Sequence, residues 1–544
     1  MDELILKYAL QNAIKFEGKA NTGAVVGKVF AEKPDSKGPE IAKKVAEIVK
    51  KVNSMNLEEQ KKKLEEIAPE LLEEKKEKKE KDIFEFLEVK GKVVTAFPPE
   101  PSKYPHIGHA KSLFLNYELA KKHKGKFILR FEDTNPKLVK KELYQAHREA
   151  YKWLGVKSDL IDYSSKHMQD FHKNSEKLIK EGKAYMCNCE SEKIRKMRFK
   201  GISCECRNKT TEQNMKEWKE MPKKKEGETN LRLKIGMQHK NTTMRDPTIM
   251  RIIKEKHAMH GKKYVVWPTY DFQTSIMDGI EGITYRLRSK EFEMRNELQR
   301  WIQKSLGFKE TEIYEYARFN MEGVPSSGRI IREMIEKKEL TGWDDPSLTT
   351  IAALKRRGFL PEAIREFVLS TGITKTEATH TWEDLEVFNR RDLDKKANRY
   401  FFIENPKQIE IKDVPKMDTK IELHPDDKKR GFRKFKTGKK FYVQDKIESG
   451  KVYRLMHLFN FKDGKFLSRE HDPELHATII HWLPAEKGLV NLEILMPNKE
   501  TKKGLGEKEL KKLKVGEVVQ FERFAFCRLD KKEKNKLKFW YTHK

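Results

Sequence analysis

The spacing of apolar positions changes along this chain, and each change marks a part of it. From residue 1 to about 60 they recur every three and four residues, in ALQNAIKF, EIAKKVAEIVKKVNSM and LEEQKKKLEEIAPELL, which predicts amphipathic helices. The stretch EEKKEKKEKD (73–82) then loses all apolar residues and reads as a solvated helix extension or a linker. After residue 90 a short β-branched run, GKVVTAF, is followed by the proline-punctuated PPEPSKYP. Helical spacing resumes in GHAKSLFLNYELAKKH, with Ala110, Leu113, Phe114, Tyr117 and Ala120 near one face. GKFILRFED is another short strand, and NPKLVKKELYQAHREAYKWLG another helix. Strand–helix–strand at this spacing predicts a parallel sheet, whose ligands bind beyond the carboxyl ends of the strands. The PPEPSKYP loop and Glu132-Asp133 both lie at such ends.

Residues about 340 to 395 return to helical spacing. Beyond 400 the pattern alternates in short stretches, among them KKFYVQD, LVNLEILM and VVQFERFAFCRL, which predicts one or two small antiparallel barrels. Nowhere does an apolar run approach the ~20 residues that span a bilayer. The opening MDELILKYALQNAIKFEGKA lacks the apolar core and cleavage site of a secretory signal, so the expected compartment is the cytoplasm, with no membrane partner.

Composition sharpens the picture. A chain of 544 residues should form several domains, and its formal net charge of +30 favours a polyanionic partner, nucleic acid above all. The Lys/Glu enrichment of a thermophile accounts for many charges but less well for their imbalance. In KKRGFRKFKTGKKFYVQDK, aromatics interleave with basic residues, a mixture that holds phosphates and stacks on unpaired bases. Four of the five cysteines form two Cys-x-Cys pairs, Cys187/Cys189 and Cys204/Cys206. Such clustering argues against a disulfide framework; it leaves a four-sulfur structural zinc site, the favoured reading, or four reduced thiols. Cys527, in FAFCRLD, reads as a core residue of a strand.

The chemistry concentrates at His106-Ile107-Gly108-His109, where a helix begins. A helix N-terminus offers unpaired N–H groups to a phosphate, and Gly108 lets a ligand approach the backbone. The two imidazoles can donate to oxygens whose charge grows as a phosphoryl centre is attacked. Four letters alone would equally fit a pair of surface histidines.

The surrounding residues extend the pattern. TAFPPEPSKYPHIGHAKSLFLNYELAKKHKGKFILRFEDTNP resembles the signature region of the class I glutaminyl- and glutamyl-tRNA synthetases, with His106–His109 as their HIGH element. The likeness continues through MRDPTIMRI, PTYDFQTSIMDGIEGITYRLRSKEF and GWDDPSLTTIAALKRRGFLPEAIREF. The opening KYALQNAIKFEGKANTGAVVGKV is similar to the N-terminal extension of the archaeal glutamyl type. The resemblance implies a multidomain α/β plus β fold. It would comprise a helical extension (1–88), a Rossmann-like catalytic domain (89–335) with an acceptor-end insertion at about 185–265, helical connecting segments (336–398), and a β-barrel anticodon-binding region (399–544).

It also implies an activity. Glutamate attacks the α-phosphate of ATP, which binds with Mg²⁺, and the acyl group of the adenylate passes to the 3′ end of tRNA(Glu). Pro99, Glu100, Pro101 and the segment His106, Ile107, Gly108 and His109 are implied to hold ATP, together with Arg318. Ser326, Ser327 and Arg329 of the second loop join them, with the two histidines as the catalytic pair. Glu132 would face the α-amino group of L-glutamate, and Tyr270 would donate to its side chain. Arg288 stands where glutaminyl enzymes keep a cysteine, and Ile313 where they keep a glutamine. A guanidinium there can clasp a γ-carboxylate in two charge-assisted bonds, whereas an amide would leave donors poorly paired. Otherwise Arg288 is a surface arginine sharing a strand face with Arg286.

Two departures from the family pattern stand out. Ala96 replaces an arginine before FPPEP. The second signature loop, VPSSGRII (324–331), carries neither lysine of the usual KMSKS, leaving either an anion nest or an inert loop. These departures keep a glutaminyl enzyme and a non-catalytic tRNA-binding relative in play as alternatives. A nucleotidyltransferase making a small cofactor fits the long β-rich region poorly. tRNA(Gln) remains open as a second acceptor, and a monomer is the favoured state.

Overall fold

The structure is a computed structural model that describes residues 1–16, 18–33, 38–71, 82–325 and 327–544. The EEKKEKKEKD segment lies, except for its last residue, outside the described residues. Two compact units emerge, Met1–Glu85 and Phe86–Lys544. The first is four helices, α1 (Asp2–Lys15), α2 (Thr22–Glu32), α3 (Pro39–Asn53) and α4 (Leu57–Ile67). Their apolar stripes meet in a core that includes Ile5, Leu10, Val29, Val49 and Leu64.

The second unit begins with β1 (Val94–Phe97), α5 (Ile107–Lys122), β2 (Lys126–Phe131), α6 (Lys141–Trp153) and β3 (Leu160–Tyr163). The strands are parallel in the order β1–β2–β3, with Ala96 opposite Ile128 and Leu129 opposite Ile161. The turn from α5 into β2 demands glycine: a Cβ on Gly125 would lie 2.2 Å from the Val93 carbonyl oxygen. Ala110, Leu113, Phe114 and Ala120 are buried, as the helical spacing predicts, and so are Leu115 and Leu119, because α5 is covered on more than one side.

Next come α7 (Met168–Lys180), β4 (Ala184–Cys187), α8 (Ser191–Lys200), α9 (Thr211–Glu220), β5 (Asn230–Leu233), β6 (Thr248–Ile252) and β7 (Val266–Pro268). The strands β4–β5–β6–β7 form an antiparallel sheet in that order. The parallel theme returns with α10 (Tyr270–Glu281), β8 (Tyr285–Ser289), α11 (Asn296–Leu306) and β9 (Glu312–Tyr316), where β8 and β9 pair in parallel. β8 is tied to the first sheet at Val94, whose carbonyl accepts from Thr284 N at 2.9 Å. The buried Asn116 of α5 binds Leu287 in both directions, donating to its carbonyl at 2.9 Å and accepting from its N–H at 3.1 Å. An amide side chain thus fixes β8 against the helix that carries the histidines.

β10 (Phe319–Met321), α12 (Gly328–Glu336), α13 (Ile351–Arg357), α14 (Pro361–Ser370), β11 (Ala378–His380) and α15 (Trp382–Lys396) lead to the β-rich region. There, strands between Asn398 and His543 form a seven-stranded sheet around Leu492, Ile494, Phe521 and Phe539. Smaller sheets surround Phe441, Phe459 and Trp482. Antiparallel pairing dominates, with parallel pairs inserted at 491–495 with 536–540, 398–400 with 519–521, and 453–455 with 478–480. Among the described residues no helix is long and apolar enough to cross a membrane.

Candidate active site

A cavity of about 550 Å³ opens at the carboxyl ends of the parallel strands. Pro99, Glu100, His106, Ile107, Gly108, His109, Glu132, Tyr270, Arg288 and Arg318 all line it. Four sequence candidates stand apart from these. Pro101 is not among the lining residues; it is buried, and its carbonyl accepts from Lys140 N. Ser327 caps α12 without lining the cavity. Arg329 has a side chain 82% exposed and pairs with Glu333 one turn on, at 3.7 Å. Ser326 lies outside the described residues. Val324, Pro325, Gly328 and Ile331 represent the second loop in the wall.

The start of α5 differs from the expectation of free N–H groups, because its first turn is occupied. Ile107 N donates to the Thr349 carbonyl at 2.9 Å, Gly108 N to His106 Nδ1 at 3.1 Å, and His109 N to the His106 carbonyl at 2.8 Å. Gly108 serves the protein before any ligand: a Cβ there would lie 2.9 Å from His106 Cε1. His109 Nδ1 accepts from His106 N at 3.1 Å. Each Nδ1 is therefore an acceptor, so each ring carries its proton on Nε2. His106 Nε2 is buried with no partner among the described residues, a donor still seeking an acceptor. Burial first, then the charge of Lys103, lowers the His106 pKa to about 3, and burial holds His109 well below its usual range. Both imidazoles are neutral donors at physiological pH.

Beside the histidines lies a chain of buried charge. Asp278 of α10 accepts from Arg130 at 2.8 Å and Arg286 at 2.9 Å on Oδ1, and from Gln299 at 2.7 Å on Oδ2. Gln299 in turn accepts from Arg288 at 3.1 Å, and Asn296 accepts from the same guanidinium. Glu281 neutralises Arg130 further at 2.6 Å. Arg286 and Arg288 share a strand face, but that face is interior: Arg288 is only 6% exposed, and both keep a buried Nε–H without a partner among the described residues. Glu132 accepts from Thr274 at 2.9 Å, and its carboxyl is pushed up by burial. Burial, then the Glu132 charge, raises the phenol of Tyr270; Arg288 and Arg286 act on it in the opposite sense.

Asp278, Gln299 and Thr274 were not legible as site residues. The available signal was Asp278 and Glu281, two carboxylates spaced i, i+3 on a helix just before a strand with arginines at i, i+2. Ala96 packs with Val94, Ile128 and Ile283 in the sheet core, while Arg286 lines the cavity wall. Ile313 is buried opposite Arg286 in the register and is not among the lining residues.

Away from the cavity, the sulfurs of Cys187, Cys189, Cys204 and Cys206 lie within 4.8 Å of one another. The Cys187–Cys204 separation is 3.8 Å, matching the edge of about 3.8 Å for a tetrahedron of sulfurs ~2.3 Å from a zinc ion. Arg232 approaches these two sulfurs at 3.7 and 3.8 Å and would favour their thiolate forms.

The parallel sheet, the histidine pair at a helix start and the pocket at the strand ends fit the catalytic domain of a class I tRNA synthetase. The family model for the catalytic domain of the class I (E and Q) tRNA synthetases matches residues 92–395, and the anticodon-binding models of the same family match 397–480 and 479–530. The chain is 42% identical over 574 residues to the glutamate–tRNA ligase of Pyrococcus furiosus and 39% over 557 to that of Methanocaldococcus jannaschii, with 100% of both chains covered each time. The glutamate tRNA ligase of Elizabethkingia meningosepticum, solved in complex with its amino acid, is 19% identical with a TM-score of 0.42, covering 57% of this chain and 71% of that one. This chain belongs to the class I tRNA synthetases of the glutamyl and glutaminyl family.

Proposed function

We propose that the protein is a glutamate–tRNA ligase, which joins L-glutamate to tRNA(Glu) at the expense of ATP. One observation carries the choice of glutamate: Arg288 lines the cavity, buried, with a guanidinium Nε–H left unpaired. A γ-carboxylate satisfies that donor and its charge; a neutral amide leaves the charge unmatched, which costs several kcal/mol in a desolvated site.

In the first step a carboxylate oxygen of glutamate bonds to the α-phosphorus of ATP, and diphosphate leaves. His106 and His109, each with its proton on Nε2, donate to phosphate oxygens as charge accumulates there. Their lowered pKa keeps them neutral, so they act as hydrogen-bond donors without transferring a proton. Glu132 faces the α-ammonium group, and Tyr270 donates to the side chain. Mg²⁺ bound with the nucleotide would neutralise phosphate charge. In the second step the terminal ribose hydroxyl of tRNA attacks the acyl carbon and AMP leaves. The β-rich region reads the anticodon, and Cys187, Cys189, Cys204 and Cys206 would hold a structural Zn²⁺ outside the chemistry. The enzyme works as a cytoplasmic monomer.

Aminoacylation with labelled glutamate and glutamine against purified tRNA isoacceptors tests this reading, and the same assay reports tRNA(Gln) as a second acceptor. Preference for glutamine would replace it with the glutaminyl alternative. Glutamylation that disappears in His109→Ala excludes a non-catalytic relative.

A further inference from the structure

The cations of the cavity wall are largely met by the protein's own groups; Arg251, which also lines it, feels the charge of Glu100. A triphosphate brings several negative charges, yet both imidazoles are neutral and the first-turn N–H groups of α5 are occupied. Arg286 is tied to Asp278 directly and Arg288 through Gln299. Arg318 shares Glu291 at 3.5 Å, and Arg329 projects into solvent beside Glu333. The second loop therefore brings no cation into the wall among its described residues.

Lys103, in the PPEPSKYP loop, is placed differently. It lines the cavity, and among the described residues no carboxylate pairs with its ammonium. Its stem lies along the second loop: a Cβ on Gly328 would fall 3.2 Å from Lys103 Cβ and 3.5 Å from its Cδ. Its backbone is anchored, with its carbonyl accepting from His147 Nε2 at 2.8 Å. The His147 ring meets His109 edge-on, with centroids 5.6 Å apart. Of the charges acting on His106, Lys103 is the largest. A half-buried ammonium is thus held beside both histidines in a loop locked to them, with no direct ion pair among the described residues and with Glu100 and Glu291 acting on it from further off. A partly buried ammonium with no directly bonded carboxylate gains from a ligand anion that completes its surroundings.

We propose that Lys103 is a further catalytic residue, whose ammonium contacts a phosphate oxygen of ATP and supplies from the first loop the positive charge that the second loop lacks. The proposal rests on the reading of this cavity as the ATP site of the ligase. Burial, then the nearby Arg318, lowers the Lys103 pKa from its ordinary value, and bound phosphate would relieve that strain.

Lys103→Met, which keeps the stem, and Lys103→Arg, which keeps the charge, test it. Steady-state glutamylation is measured as ATP and glutamate are varied separately, and calorimetry measures ATP binding. A lost charge-assisted bond of about 1.5–3 kcal/mol corresponds to a roughly ten- to hundredfold fall in kcat/KM for ATP. Lys103→Met should show that fall with the glutamate KM within about twofold of wild type, and Lys103→Arg should recover most of it. A fall confined to kcat places the contact in the transition state and also supports the proposal. Equal losses for ATP and glutamate, or no loss, overturn it. Should the wild-type chain fail to glutamylate tRNA, the substrate reading alone falls, and calorimetry still decides: weaker ATP binding by Lys103→Met supports the contact, and unchanged binding refutes it.

Discussion

Gln299 couples Arg288 to Asp278, accepting from the guanidinium at 3.1 Å and donating to the carboxylate at 2.7 Å. A direct ion pair would have spent the arginine's charge within the protein. An intervening amide orients the guanidinium and leaves most of its charge available. Removing Arg288 should then cost substrate binding more than folding. Arg288→Ala is expected to lower kcat/KM for glutamate by ~10²-fold or more, the scale of a stranded buried charge, with the ATP KM within about threefold. An unchanged glutamate kcat/KM would remove position 288 from the pocket.

Gly108 is required by its neighbour. A methyl group there would stand 2.9 Å from His106 Cε1 and 3.0 Å from Nδ1, so Gly108→Ala must turn the His106 ring and break its bond from Gly108 N. The expected result is a fall of roughly 10²-fold in kcat with little change in melting temperature, as for loss of one oriented donor. A wild-type rate would show that the ring's orientation is immaterial. Because the His106 pKa lies at about 3 and that of His109 well below its ordinary 6.5, the ATP-dependent rate should show no inflection near pH 6.5. An acid limb there that vanishes in His109→Gln would contradict the neutral-donor assignment.

The elements that the chain's periodicity predicts most directly are those with local causes. β1, α5 and β2 follow from the apolar spacing of GKVVTAF, GHAKSLFLNYELAKKH and GKFILRFED. The histidine pair is readable because a helix start is a local event. Arg329 shows the limit: placed one residue inside α12, it turns outward, and nothing in VPSSGRII announces which side of that helix faces the cavity. Asp278 and Gln299 fall under the same limit, since each acquires its role only when α10, α11 and β8 converge. The parallel pairings in the β-rich region join segments some 25 to 120 residues apart in sequence, beyond the reach of alternation.

The four cysteines have a consequence of their own. Their module has a small core of its own, with Tyr185, Cys187, Ile194 and Cys204 buried there, so a bound metal would add a crosslink to it. The purified protein is expected to carry about one zinc ion per chain. Cys204→Ser or a strong chelator should release it and expose the Ser191–Lys200 region to proteolysis, while the ATP KM stays within about threefold. Metal analysis and limited proteolysis check this together. A chain free of metal with an intact module would assign the cysteines as reduced thiols.

His543 links the β-rich sheet to the connecting helices and should make that junction sensitive to acid. It is fully buried; its Nε2 accepts from Asn389 at 2.9 Å, while Nδ1–H donates to the Lys544 carbonyl at 2.9 Å. Burial lowers its pKa to about 4, against an unfolded value near 6.5. On acidification the unfolded chain therefore takes up the proton first. The stability contributed by the neutral ring is complete above about pH 6.5 and declines as pH falls towards 4, by about 1.4 kcal/mol per pH unit in that window. His543→Phe forfeits the Asn389 bond but has no proton to exclude. It should melt below the wild type at pH 7.5, and the difference should shrink steadily by pH 5. Melting temperatures of both proteins across this range decide the matter, and a constant or growing difference would mean that His543 is protonated in the folded state.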